Sequence, residues 1–176
     1  TSTACFRLGG SLSGDTCALS NCEEVIAGDD CAFAILAVEG ENGFDLMDMT
    51  PSLPTPNPEQ CSNTFLHWNE SQKDIWYSFP PAESKYYKLS LCNSDYDTSL
   101  ALYETDCDNQ IACNGDYEPP EPECNIDYSA INYNLVEGTE YLIRIGGFEG
   151  AEGVGTLTIS SNEIGACCLE GNCLGD

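Results

Sequence analysis

The sequence predicts an all-β fold, an antiparallel β-sandwich or jelly-roll-like domain with small disulfide-rich terminal segments. Three observations predict it. From Asp74 onward, short apolar runs alternate with polar residues at a period of two. Turn-forming residues break these runs at roughly ten-residue spacing. No long stretch repeats at the 3.6-residue period of an amphipathic helix.

The elements follow in order. Residues 1–31 are rich in Gly, Ser and Cys without a sustained period and read as a small disulfide-held module. Cys31-Ala32-Phe33-Ala34-Ile35 fits either a helical turn or a strand. Residues 50–60 hold four prolines in eleven positions, and proline cannot donate to a sheet ladder, so an exposed extended loop is expected. Its Thr50, Ser52 and Thr55 are candidate O-glycan sites. Ile75–Phe79 reads as a strand stopped by Pro80-Pro81. Tyr87–Leu91, Ile131–Leu135, Tyr141–Ile145 and Leu157–Ser160 alternate apolar and polar residues, as expected of a sheet with one buried face. Val136–Glu140 makes the turn between two of these strands, and Gly146-Gly147 with Gly150–Gly155 makes the next. About eight strands with little helix are expected.

Composition narrows the function. The chain has 176 residues, 41% of them hydrophobic, enough for a real core. Thirty acids against five Lys and Arg give a formal charge of -25. That sign excludes nucleic acid and anionic membrane surfaces as partners and calls for counter-ions, divalent cations being the simplest. Twelve cysteines, an even number without zinc-site spacing, point to an oxidising, extracellular or cell-surface setting. The start at Thr1 fits a removed signal segment or a stretch internal to a longer chain. No run of about 18 apolar residues occurs, so no membrane insertion is expected.

Catalytic signatures are absent from the sequence. A Ser-His-Asp site would have to use His67, the one histidine, and no nucleophile motif accompanies it. Paired carboxylates carry no information among thirty acids. The expectation is a protein that is not an enzyme.

The order of several motifs resembles the bacterial pre-peptidase C-terminal domain family. The carriers are Asp74-Ile75-Trp76-Tyr77-Ser78-Phe79, then Asp97-Thr98-Ser99-Leu100-Ala101-Leu102-Tyr103, then Asn114-Gly115-Asp116, then Glu137–Phe148 with its Gly146-Gly147. The match spans about residues 29–161. The usual Asn-Asp-Asp turn is Asn114-Gly115-Asp116 here, and an acidic insertion, Tyr117 to Cys124, follows it. The resemblance implies a non-catalytic β-sandwich that accompanies secreted enzymes or builds surface proteins. Some members bind calcium or polymeric substrates.

On that frame the chain divides into a Cys-rich N-terminal segment (1–28), the sandwich (29–161) and a Cys-rich C-terminal segment (162–176). Two acidic groups are candidate Ca²⁺ sites, because hard cations want clustered oxygens on loops. One is Asp95 and Asp97 with Asn114 and Asp116, at strand ends that the family fold brings together. The other is Asp29 and Asp30, joined by Asp74. Cys31, Cys61, Cys92, Cys107, Cys113 and Cys124 make an even set within the sandwich. Cys107 and Cys113 flank a short loop and are expected to pair, leaving Cys31–Cys61 and Cys92–Cys124, one of about fifteen connectivities. Asn69-Glu70-Ser71 is the one N-glycosylation sequon.

The ends carry the assembly expectation. Cys5, Cys17 and Cys22 at one end and Cys167, Cys168 and Cys173 at the other are each an odd set. Read tail to head they form one cysteine-rich module, and its GACCL-x-G-x-C half looks like modules of large secreted bacterial proteins. The leading expectation is a structural subunit polymerising head to tail with copies of itself, held by disulfides and Ca²⁺. The alternative is a carbohydrate- or protein-binding module of a secreted multi-domain enzyme, using aromatics near Trp68, Trp76 and Tyr117.

Overall fold

The computed structural model describes residues 25–61, 66–117, 124, 126–162, 168–169 and 172–173. Nine strands form two sheets: β1 (Ile35–Leu36), β2 (Gly40–Asp45), β3 (Ile75–Phe79), β4 (Lys85–Ser90), β5 (Thr98–Glu104), β6 (Gln110–Asn114), β7 (Ala130–Leu135), β8 (Tyr141–Gly147) and β9 (Val154–Asn162). A small hairpin, β10 (Cys168–Leu169) with β11 (Asn172–Cys173), follows. Among the described residues there is no α-helix, only three 3-10 turns.

The five-stranded sheet runs β1-β3-β8-β5-β6, and the four-stranded sheet runs β2-β9-β4-β7. Neighbours pair antiparallel except β1 and β3, a two-residue parallel pair at the edge. The ambiguous Cys31–Ile35 run resolves into both readings: a 3-10 turn over Cys31–Phe33, capped by Asp30, and then β1. Phe44, Tyr87, Leu89, Leu100, Leu102, Ile143, Ile145, Leu157 and Ile159 fill the space between the sheets. This is the antiparallel β-sandwich that the alternation predicts.

The joining residues 37–39 put the edge strands β1 and β2 on one rim of the sandwich. The edge strands β6 and β7 form the opposite rim. The glycines at 146 and 147 lie within β8 rather than in a turn. A Cβ at Gly146 would stand 2.6 Å from the Trp68 ring, so the strand continues only because these residues have no side chain.

The disulfides correct two of the expected pairings. Cys31 bonds Cys107, Cys61 bonds Cys113, and Cys92 bonds Cys124. The expected Cys107–Cys113 bond fails because Cys113 is inside β6, opposite Ala101, while Cys107 sits at the tip of the β5–β6 hairpin. The tip reaches the 3-10 turn at Cys31, and β6 meets the segment at Cys61 through a parallel bridge. Cys5, Cys17, Cys22 and Cys167 lie outside the described residues, as do the pairing of Cys168 and Cys173 and the terminal segment boundaries.

Candidate functional site: an acidic loop end and two open rims

The outer face of the five-stranded sheet is covered rather than open. Residues 50–61 and 66–74 fold across it, and Arg144 of β8 stands at the centre of the contact. Its guanidinium lies 4.9 Å from the ring centres of both Trp68 and Trp76. It donates to the carbonyls of Pro54 (2.6 Å) and Ser52 (2.5 Å) and to the Asp74 carboxylate (2.7 Å). Asp74 also accepts from Ser52 N–H and Oγ–H, and Ser52 Oγ accepts from Trp76 Nε1. The proline-rich loop is thus mostly exposed but tied down by its carbonyls. The Ser52 hydroxyl, a candidate glycan site, is already engaged.

This arrangement answers the Asp29, Asp30 and Asp74 expectation. Asp74 is fully buried and faces Arg144, so its charge is met by a guanidinium. Asp29 accepts from Thr50 N–H and Oγ1–H, and Asp30 accepts from Ala32 N–H. Each satisfies loop backbone, and Asp74 is committed elsewhere.

The second acidic group is partly assembled. Buried Thr98 and Ser129 stitch three loop ends together: Thr98 N–H donates to Asp127 O, Ser129 N–H donates to Thr98 Oγ1, and Ser129 Oγ lies 3.1 Å from Gly115 O. Asp97, Asp116 and Asp127 therefore share one end of the sandwich. The Asp97 carboxyl is pushed up to about 6, first by burial and then by the charges of Asp127 and Asp116. Asn114 belongs to the same end but holds backbone: it donates to Asp116 O and accepts from Ala130 N–H. Asp95 is turned away, accepting from Val154 N–H of β9. Among the described residues, no three acidic, Cys or His side chains converge closely enough to share a metal ion. Asp127 was not foreseen; its signal is its place just before β7, the strand that the loop end meets.

The aromatics considered for a binding face are occupied. Trp76 is buried, Trp68 is stacked on Arg144, and Lys88 lies 4.7 Å from the ring centre of Tyr117. His67 is exposed and packs beside Phe148, 3.8 Å from Glu149. Asn69 and Ser71 are exposed, and Asn69 Oδ1 accepts from Ser71 N–H and Oγ–H.

The rims complete the inventory. A cleft of about 440 Å³ separates β6 from β7, lined by Ile111, Ala112, Asn114, Asn132 and Tyr133 among others. The opposite rim carries exposed Phe33, Leu36 and Val38, and exposed Val25 shares a shallow pocket with Phe33. Among the described residues no helix is long and apolar enough to cross a membrane.

No family model and no curated protein matches the chain. Among solved structures, it is similar to the pre-peptidase C-terminal domain of collagenase from Bacillus anthracis, at a TM-score of 0.45 and 15% identity, over 72% of this chain and 94% of that one.

Proposed function

We propose that this chain is a non-catalytic extracellular structural module that joins copies of itself head to tail into a filament or surface array. One observation carries the reading: among the described residues, Phe33, Leu36 and Val38 are exposed together on one rim, Leu36 at 65% and Val38 at 58% exposure. Exposed apolar side chains grouped on one rim of a protein of charge -25 favour a protein contact there. The three disulfides support an oxidising exterior, since such bonds do not persist among reduced thiols. Ca²⁺ belongs to this reading as a counter-ion for the net charge. The exposed Asn69 sequon is its candidate glycan site.

Sedimentation and electron microscopy of the purified full chain test the reading. Concentration-dependent assemblies with a repeating unit are expected. A monodisperse monomer at every concentration would overturn it.

A further inference from the structure

We propose that the open face of the four-stranded sheet binds an uncharged polysaccharide, with Tyr86 as the stacking platform and Asn132, Asn134 and Ser160 supplying the hydrogen bonds.

Charge first sets this face apart. β4, β7 and β9 contain no acidic residue, in a chain that has thirty. Alternation turns Tyr87, Leu89, Ile131 and Ile159 into the core and leaves hydroxyls and amides outside. The register lays these out in rows. Ser160, Lys88 and Asn132 stand side by side, and Tyr86 lies beside Asn134 in the next row. Neighbours are about 5 Å apart across the strands and about 7 Å apart along them. Lys88 is the one charged side chain among these five, and it is half-buried and held 4.7 Å from the Tyr117 ring centre.

The polar groups of the face are also unspent. Asn42, Asn57, Asn109 and Asn114 use their side chains on backbone groups. The amides of Asn132 and Asn134 and the hydroxyls of Tyr86 and Ser160 have no such partner among the described residues, and all four residues are exposed. Tyr86, at 41% exposure, is the one exposed aromatic ring on this face among the described residues.

These groups together match a sugar. A sugar ring offers a C–H face that packs on an aromatic ring, and hydroxyls that each donate and accept, as a tyrosine among amides requires. Faces of β-sheets serve as platforms for oligosaccharides in other folds. Acidic polymers are repelled by the net charge of -25 and by exposed Glu41 and Asp45 of β2, at the border of the face. A protein partner is disfavoured because the face has no apolar cluster to drive the contact. The exposed apolar residues gather instead on the rim, at Phe33, Leu36 and Val38.

The test measures depletion of the purified full chain from solution by cellulose, chitin and insoluble mannan, with thermal melting to verify the fold of each variant. Resins carrying polygalacturonate and gelatin supply the acidic and polypeptide arms. Binding to at least one of the neutral glycans is expected, little changed by moderate salt. Tyr86→Ala should weaken it by about tenfold, and Tyr86→Phe should keep most of it. Asn132→Ala combined with Asn134→Ala should also weaken it by about tenfold. No depletion by any neutral glycan overturns the inference, as does equal binding by the folded variants or binding confined to polygalacturonate or gelatin. If the same changes abolish sedimenting assemblies and leave glycan binding intact, the face is a contact between copies and the inference is wrong.

Discussion

Arg144 and Asp74 form an ion pair with their charged ends 2.7 Å apart and with 1% and 0% of their side chains exposed. Two charges this deeply removed from water are tolerable because two further guanidinium hydrogens reach Ser52 O and Pro54 O and the carboxylate also takes Ser52, although the buried Nε–H of Arg144 finds no acceptor among the described residues. Arg144→Met is expected to cost about 3–5 kcal/mol in urea denaturation, since it strands a buried carboxylate. Adding Asp74→Leu should recover part of that loss. A cost below about 1 kcal/mol for the single change would show that the pair is solvated.

Non-reducing peptide mapping should recover Cys31 with Cys107, Cys61 with Cys113 and Cys92 with Cys124. The double change Cys61→Ala with Cys113→Ala should lower stability by about 2–4 kcal/mol, because it frees a closed loop in the unfolded chain. Peptides linking Cys107 to Cys113 would contradict the hairpin geometry.

Asp97 makes the fold sensitive to pH. Its folded pKa, about 6, stands above its ordinary 3.8, so the fold favours the protonated acid. The stability from this group is complete below about pH 4 and is lost as pH rises through about 6. Asp97→Asn should therefore raise the melting temperature near neutral pH in chelator and change little at about pH 4. Added Ca²⁺ reverses the sign if the ion is held at this end, because the variant then lacks a ligand. Melting that is unchanged by chelator at moderate salt would remove Ca²⁺ from the account.

Gly146→Ala should destabilise by about 1–3 kcal/mol, as its methyl meets the Trp68 ring and the Gln72 amide, at 2.6 and 2.9 Å. Pairing it with Trp68→Leu should recover much of the loss in the same denaturation assay. No recovery would place the strain elsewhere.

Strands with one wet face were legible in the sequence. In β4 and β7, Tyr87, Leu89, Ile131 and Leu135 face the core between outward Lys88, Asn132 and Asn134. Period two is a direct record of that geometry. β2 was invisible because Gly40-Glu41-Asn42-Gly43-Phe44-Asp45 buries only Phe44 and owes its place to β9. β5 and β8 read as nearly continuous burial, since residues 50–61 and 66–74 cover their outer face. A lone Arg in a strand gives no hint that two indoles and a carboxylate will enclose it. Cysteine pairing was misjudged for a related reason: sequence spacing made Cys107 and Cys113 look adjacent, whereas the strand register separates them. The acidic end was half legible. Asp97 and Asp116 belong to recognisable turns, but Asp127 joins them only through the Thr98–Ser129 hydrogen bonds.

The enclosure of Arg144 also gives the body a front and a back. One sheet is covered by its own loop, pinned by Cys61–Cys113, while the other leaves Tyr86, Asn132 and Asn134 in water. The body thus has two unlike sides: a bare pleated surface on one, and on the other the covering residues 50–61 and 66–74, the latter carrying the Asn69 sequon.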